Sequence, residues 1–201
     1  MKISFSTLAC PMYSWSDIYS MAKDLNFNGI EIRGLGDDIF SVKARPFTDA
    51  QLPATISTLK RLNLEIPCLS SGIALKDKEH SERCLYEIKE YCVLAQKLGT
   101  PYIRILADLD PAPVDEVDDA YICETLKKLS KTAEEHEVTL LVETNGVYAD
   151  TARLRKVLDE VNSGYIAALW DVHHPYRFFN EDPHTTIKNI GKYIKYVHVK
   201  D

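Results

Sequence analysis

The sequence predicts an α/β protein of the (β/α)8 TIM-barrel type whose eighth βα unit is absent. Short apolar segments alternate with longer segments of helical periodicity along all 201 residues, as in parallel βαβ units. This alternation fits either a doubly wound open sheet or an eight-stranded barrel. No GxGxxG motif or P-loop follows the first strand, which disfavours a nucleotide-binding open sheet. Residues 1–201 are therefore expected to form one barrel domain that is incomplete at its C-terminal end.

Seven strands are predicted from short apolar runs that are rich in β-branched and aromatic residues. A complete barrel of this type has about 250 residues, so the chain is short by one unit. The chain ends directly after the seventh strand. The predicted strands are Lys2–Ser6, Gly29–Arg33, Leu64–Leu69, Tyr102–Leu106, Thr139–Glu143, Tyr165–Asp171 and Ile194–Lys200.

Six helices are predicted between these strands, and several begin at a residue that can cap a helix. Ser14 or Ser16, Thr48 and Asp150 can accept hydrogen bonds from the free amides of a first turn, and Gly99 suits a left-handed C-terminal position. A proline-rich loop is predicted at Ala107–Val117, with a solvated acidic run at its end. The predicted helices are Ser16–Asn26, Thr48–Leu62, Glu79–Leu98, Asp118–His136, Asp150–Val161 and a short one at His184–Ile190.

The composition disfavours several classes of protein. The chain has 24 basic and 30 acidic residues, a net charge of −6, which gives no reason to expect nucleic acid as a partner. Its five cysteines include no CxxC pair, so neither a disulfide framework nor a zinc ribbon is indicated, and a cytoplasmic location is expected. No apolar run approaches the roughly 20 residues that a membrane helix needs, so no membrane association is expected.

Three consecutive predicted strands end in residues that can bind metal: Glu143, Asp171 and His198. In parallel βα folds the ligand face lies at the carboxyl ends of the strands. A single acid there could instead cap the next helix, and a single histidine could be satisfied in the core. Three such residues at matched depths favour a divalent-metal site. The mixed oxygen and nitrogen set suits Mn²⁺, Co²⁺, Zn²⁺ or Fe²⁺, with Mg²⁺ less favoured.

Charged residues also lie within two other predicted strands. Glu31 and Arg33 alternate on one face of the second strand, where they could bind substrate or form an internal ion pair. Arg104 lies inside the fourth strand and must pair if buried, with Glu31 or Glu143 as its candidate partners.

Four segments of the chain resemble a known family, the xylose-isomerase-like sugar phosphate isomerases and epimerases, whose barrels also include endonuclease IV. The resemblance covers nearly the whole chain. Its most specific part is the Asp-x-x-His spacing followed some two dozen residues later by His-x-Lys-Asp. The matching segments are GIEIRG at 29–34, LLVETNG at 140–146, LWDVHHPYR at 169–177 and YVHVKD at 196–201.

The resemblance implies roles for individual residues. Glu143, Asp171 and His198 would be three of four metal ligands, and His174, rather than His173, would touch substrate oxygens. The fourth ligand of the family, a glutamate on the eighth strand, would fall beyond the end of the chain. Ketose 3-epimerases of this group carry a substrate-binding glutamate six residues after the first ligand, where this sequence has alanine at position 149.

The resemblance therefore implies a divalent-metal-dependent isomerase or epimerase that acts on a small sugar-like substrate. Glu143 and His174 would be catalytic, and Glu31 and Arg33 would bind substrate. The alternatives are a dehydratase of sugar acids or inosose-type cyclitols, and a non-catalytic binding fragment that forms a homodimer through its open seventh strand. Endonuclease IV chemistry needs extra histidines after the third and fourth strands, and this sequence lacks them.

Overall fold

A computed structural model of the protein describes residues 1–114 and 116–200. Position 115, in the predicted acidic run, lies outside the described residues. So does position 201, the last residue of the YVHVKD segment. The chain forms two compact units. Unit 1 contains residues 1–72 and 90–103, and unit 2 contains residues 73–89 and those from 104 onwards.

The described residues contain seven β-strands that alternate with helices, as predicted. The strands form a two-stranded sheet, β1-β2, and a five-stranded sheet in the order β3-β4-β5-β6-β7. The strands are β1 Ser4–Ser6, β2 Gly29–Glu31, β3 Cys68–Ala74, β4 Tyr102–Leu106, β5 Thr139–Glu143, β6 Ile166–Asp171 and β7 Ile194–His198. The helices are α1 Trp15–Asp24, α2 Leu52–Leu62, α3 Ser81–Leu98, α4 Asp119–Glu135, α5 Thr151–Val161, α6 His173–Phe179 and α7 Pro183–Ile190.

In unit 1, β1 and β2 pair in parallel, and apolar side chains such as Ile18 and Ile30 are fully buried. Helix α1 begins with a capping box between Ser14 and Asp17, so the first of the two proposed cap residues is used. Gly29 allows a close approach between chain segments, because a Cβ atom there would lie 2.8 Å from the carbonyl oxygen of Glu65.

The predicted bounds of the third strand and of the second helix were wrong. The third strand is Cys68–Ala74 rather than Leu64–Leu69, and it begins after Pro67, which cannot donate a hydrogen bond to a ladder. Helix α2 begins at Leu52 rather than Thr48, because Thr48 is extended and its hydroxyl donates to the carbonyl of Arg45 at 2.9 Å instead of capping a first turn. Gly99 has a φ of +70°, and this left-handed conformation matches the prediction for that position.

Unit 2 is built on the parallel strands β5, β6 and β7. The side chains of β5 and β6 that precede the last residues are almost entirely apolar and buried. Helices α4, α5 and α7 are each capped by the side chain of an aspartate, at 118, 150 and 182. The register places Asp171 beside His198 and Glu143 beside Leu169, so the polar ends of the three strands lie at one edge of the sheet.

Strand β7 is the last strand in the order of the five-stranded sheet. Val197 and Val199 on and after this strand are exposed. Homodimerisation through this edge stays a prediction. Among the described helices, none combines the length and the apolar character that crossing a bilayer requires.

Candidate metal centre

The three predicted metal ligands lie together at the carboxyl ends of adjacent strands. Glu143 ends β5, Asp171 ends β6 and His198 ends β7. One ligand atom from each lies within 4.8 Å of the other two. The two carboxylates are buried and the imidazole is half-buried. Two carboxylates and one imidazole, gathered from different strands, form a donor set that suits a divalent transition metal.

The carboxylate of Glu143 has a different partner on each of its oxygens. Arg104 Nε lies 2.5 Å from Oε2, and this side chain is only 13% exposed, so the pair is buried. His198 Nδ1 lies 3.7 Å from Oε1, which is too long for a hydrogen bond and makes this contact electrostatic. Glu143 is one of the two partners predicted for Arg104.

Glu143 is ionised in this environment. Burial alone would raise the pKa of the carboxyl, but the facing His198 imidazole and the Arg104 guanidinium outweigh burial and lower this pKa to about 2. Arg104 occupies Oε2, so Oε1 is the oxygen that faces the other two candidate ligands.

The two oxygens of the Asp171 carboxylate have different partners. Oδ1 accepts hydrogen bonds from the backbone amides of His173, at 3.0 Å, and His174, at 3.3 Å, and so caps helix α6. Oδ2 is buried and accepts no directed hydrogen bond, although Lys200 Nζ lies 2.6 Å away as an ion-pair partner. Helix capping and metal binding were alternative interpretations of this residue, and the geometry allows both at once.

A buried carboxylate oxygen without a hydrogen bond is costly unless a cation compensates its charge. Oδ2 of Asp171 is such an oxygen; the Lys200 ammonium compensates its charge in this structure, and Asp171 belongs to the set of three residues that could hold a metal in the same place. The residues present therefore fit a divalent ion.

The ring of His174 is buried beside these ligands, whereas that of His173 is half-buried. His174 Nδ1 lies 3.0 Å from the carbonyl oxygen of Thr144, and a carbonyl oxygen can only accept, so Nδ1 carries the proton. Nε2 is then an acceptor, and Lys200 Nζ lies 2.9 Å from it. Burial lowers the pKa of His174, which keeps the ring neutral at neutral pH.

Thr144 holds Asp171 and His174 in place, a role that no pattern in the sequence indicates. Its hydroxyl accepts a hydrogen bond from the amide of Asp171 at 2.9 Å and donates one to the carbonyl of Asp171 at 3.2 Å. Its own carbonyl fixes the tautomer of His174. Thr144 is fully buried, so water does not replace these contacts.

We expect Thr144→Val to weaken the site although it preserves side-chain shape. The substitution leaves the buried amide of Asp171 without an acceptor, which costs about 1–3 kcal/mol of unfolding free energy. Loss of an outer-shell contact of this kind typically weakens metal binding by roughly 10–100-fold. Urea denaturation and calorimetric titration with Mn²⁺ measure the two effects. Thr144→Ser keeps the hydroxyl and should retain most of both properties. Equal stability and equal Mn²⁺ affinity in the valine and serine variants would contradict this role of Thr144.

The loop after β4 is fastened to the end of β5. Asn145 Nδ2 donates to the carbonyl oxygens of Asp108, Leu109 and Asp110 at 2.9, 3.2 and 2.9 Å. Asp108 is fully buried, and its Oδ2 accepts from the amide of Val147 at 3.0 Å. Next to Asn145, a glycine provides the space that the Asp108 carboxylate needs. These contacts hold the loop after β4 against the residues that directly follow Glu143 in the sequence.

Glu31 and Arg33, the predicted substrate-binding residues, belong to unit 1. Glu31 ends β2 and is 3% exposed. Arg33 is half-buried, its amide donates to Thr7 Oγ1 at 2.9 Å, and its guanidinium lies against Gly72. Their role in substrate binding stays a prediction.

Several solved structures share this fold. The chain superposes on a probable 3-DHS dehydratase, AsbF, from Bacillus anthracis, with a TM-score of 0.79 and 20% identity over 98% of this chain and 72% of that one. It also superposes on the 3-keto-D-glucoside 4-epimerase YcjR from E. coli, with a TM-score of 0.80 and 14% identity over 100% of this chain and 79% of that one.

A third similar structure is a xylose isomerase-like TIM barrel protein from Mycobacterium smegmatis in complex with magnesium, with a TM-score of 0.77. It is 14% identical over 99% of this chain and 74% of that one. At these identities the likeness shows the fold alone. No curated protein matches the sequence at a significant level.

The family match rests on the sequence itself. The model of the xylose isomerase-like TIM barrel matches residues 20–201, which is most of the chain and includes every candidate residue of the metal centre. With the parallel βα architecture, this match confirms the predicted TIM-barrel fold class. The chain belongs to the xylose isomerase-like TIM barrel family.

Proposed function

We propose that this protein binds a divalent metal ion through Glu143, Asp171 and His198 and moves protons on a small polyhydroxylated substrate, as a sugar isomerase or epimerase does. The observation that carries the proposal is the convergence of three ligand atoms within 4.8 Å from three adjacent strand ends. Residues 1–201 would act as one barrel domain. Mn²⁺, Co²⁺, Zn²⁺, Fe²⁺ and Mg²⁺ are all candidates for the ion.

The orientation of each ligand supports the proposal. Arg104 holds Glu143 Oε2 and the amides of helix α6 hold Asp171 Oδ1, so each carboxylate directs its other oxygen to the centre. Such partners fix ligands in one geometry and so reduce the entropy that is lost when an ion binds. The bound ion would polarise neighbouring hydroxyl or carbonyl oxygens of the substrate and acidify the adjacent C–H bond.

The chain supplies groups that can hold or move a proton beside that ion. Glu143 is ionised, and its carboxylate is the group proposed to accept a proton from carbon. His174 is neutral, and its Nε2 can accept a hydrogen bond from a substrate hydroxyl, since Thr144 fixes the proton on Nδ1. Glu143 and His174 are therefore the proposed catalytic residues, with Glu31 and Arg33 as proposed substrate contacts.

The position six residues after Glu143 argues against a ketose 3-epimerase. Ala149 is fully buried in a short 3₁₀ turn, Gly146–Ala149, and has no polar group for a substrate. Isomerisation by proton transfer, epimerisation at another carbon and dehydration of a sugar acid or inosose would each use this removal of an acidified proton. The substrate assay must distinguish these reactions.

Metal binding is tested with protein stripped by chelator and titrated with Mn²⁺ in a calorimeter. We expect one ion per chain in the wild type. Asp171→Asn should weaken binding at least about 100-fold, because removal of an outer-shell partner alone costs roughly 10–100-fold. Asp24→Asn changes an exposed aspartate in the same way and should leave the affinity unchanged. Equal affinities in the two variants would refute the site.

Proton transfer is tested in D₂O with Mn²⁺-loaded protein and a panel of ketoses, inososes and hydroxypyruvate. Deuterium should enter the carbon beside the carbonyl group of the substrate, and NMR detects this exchange even without net product. Glu143→Gln should abolish the exchange. Wild-type protein that binds Mn²⁺ and exchanges no proton on any of these compounds would favour the non-catalytic alternative.

A further inference from the structure

Lys200 is the lysine of the His-x-Lys-Asp segment, but neither the resemblance nor the proposed chemistry gives it a role. Its Nζ lies 2.6 Å from Asp171 Oδ2 and 2.9 Å from His174 Nε2. Lys200 follows His198 by two residues, so in extended chain both side chains lie on the same face. The ammonium is thereby placed against one of the three candidate ligand residues.

Asp171 and His174 both act as acceptors for the Lys200 ammonium. Asp171 Oδ1 is committed to the amides of helix α6, so Lys200 is the cation that compensates the buried charge on Oδ2. His174 Nδ1 carries its proton towards Thr144, so Nε2 can only accept and the ammonium must be its donor. Lys200 is therefore held by one anionic and one neutral acceptor.

A metal ion coordinated by Asp171 Oδ2 would bind the same oxygen that the Lys200 ammonium contacts. An ammonium group 2.6 Å from the same oxygen would then face a divalent cation at close range, where like charges repel strongly in a buried site. The side chain of Lys200 is 46% exposed, so it has an open route away from the site.

We propose that Lys200 is the resident cation of the metal-free centre and must leave Asp171 Oδ2 before a divalent ion can bind. This inference rests on the proposed metal site and adds to it a built-in competitor that sets the affinity. Lys200 stabilises the empty site, and the same contact makes metal binding weaker and more readily reversible.

The test compares Mn²⁺ affinity in stripped wild-type protein, Lys200→Met and Lys195→Met. Removal of the competitor should tighten Mn²⁺ binding about tenfold or more, within the usual range of coupling between two ligands. Lys195 lies on strand β7, is exposed and, by the alternation of side chains in extended chain, points to the face opposite Lys200, so its variant should bind as the wild type does. Lys200→Gln removes the charge and keeps a polar side chain, and it should also bind more tightly.

A second readout does not depend on the variants. Reductive methylation followed by peptide mass spectrometry measures how accessible each lysine amine is. Saturating Mn²⁺ should increase the modification of Lys200 and leave that of Lys195 unchanged. Protection of Lys200 by Mn²⁺ would overturn the inference.

The possible outcomes separate this inference from the proposed function. Wild-type protein that binds Mn²⁺ with the same affinity as both Lys200 variants overturns the displacement and leaves the metal site intact. No binding in any of the proteins overturns the metal site itself. Measurable binding only in the Lys200 variants supports both, because it shows a site that the lysine blocks.

Discussion

Gly146→Ala should destabilise the protein by about 3 kcal/mol or more. Gly146 has a φ of +57°, which costs an L-residue roughly 1–2 kcal/mol. A Cβ atom would also lie 2.0 Å from Asp108 Oδ2 and 2.4 Å from its Cγ. Asp108 is fully buried and bonded to the amide of Val147, so it cannot move aside without leaving a polar group unsatisfied, at a further cost of about 1–3 kcal/mol.

Gly36→Ala is the matched control, since Gly36 has the same φ of +57° and no heavy atom of the described residues would lie within 4 Å of a Cβ atom added there. This substitution should cost only the conformational term of roughly 1–2 kcal/mol. Urea denaturation of both variants separates backbone strain from the collision with Asp108. Equal losses would mean that the loop after β4 moves aside freely.

Arg104→Met should destabilise the metal-free protein by about 3–5 kcal/mol, because it leaves the carboxylate of Glu143 buried without its guanidinium partner. Arg83→Met provides the control. Arg83 also binds a glutamate through Nε, at 2.7 Å, but this pair is on the surface of helix α3, and solvent screens it. We expect a large shift of the urea midpoint for the first variant and almost none for the second.

The effect of Arg104→Met should depend on pH in a defined direction. The pKa of Glu143 is about 2 in the folded protein, below the ordinary value of 4.5. The stabilisation linked to its charge is therefore fully present above about pH 4.5 and is lost as the pH falls towards 2. Without Arg104 the folded pKa rises, so the difference in unfolding free energy between wild type and variant should narrow on acidification. A difference that stays constant from about pH 7 to about pH 3 would contradict the assigned ion pair.

The architecture and the three candidate ligands could be predicted because both follow from patterns along single strands. An apolar run that ends in an acid, as TLLVE does at Glu143, places that acid at the end of a strand whatever the neighbouring strands are. The register between β6 and β7 then sets Asp171 beside His198. Residues whose position follows from the pattern of a single strand can be predicted in this way.

Helix α6 could not be predicted from its own residues. Its N-cap position is Val172, which has no side-chain acceptor, and the capping oxygen comes from Asp171, one position earlier. Capping of a following helix was the alternative to metal binding for Asp171, so the preference for a metal left no helix predicted directly after it. Both ends of β3 were misplaced for a different reason, because the apolar residues before Pro67 resemble a strand and the small polar residues after Leu69 do not.

Thr144, Asn145 and Lys200 were missed because their roles depend on contacts between segments that are far apart in the sequence. Thr144 acts on Asp171, 27 positions away, and Lys200 reaches His174 across 26 positions. A threonine after a strand or a lysine near a histidine is common in any sequence. Only the folded arrangement distinguishes these residues from solvated neighbours.

The hydrogen bonds of Asn145 also affect the chemical stability of the protein over time. Asparagine followed by glycine is chemically fragile, because the glycine amide can attack the asparagine side chain and convert it to aspartate or isoaspartate. In the folded protein the Asn145 side chain is 4% exposed and engaged with three carbonyl groups, while the Gly146 amide donates to the carbonyl of Pro111. Folding thus protects the Asn145 side chain from this attack, and unfolding by heat or denaturant exposes it. A carboxylate formed there would face the same three carbonyl oxygens without a proton to offer, so each deamidated molecule would lose the fastening permanently, and unfolding would become irreversible with time.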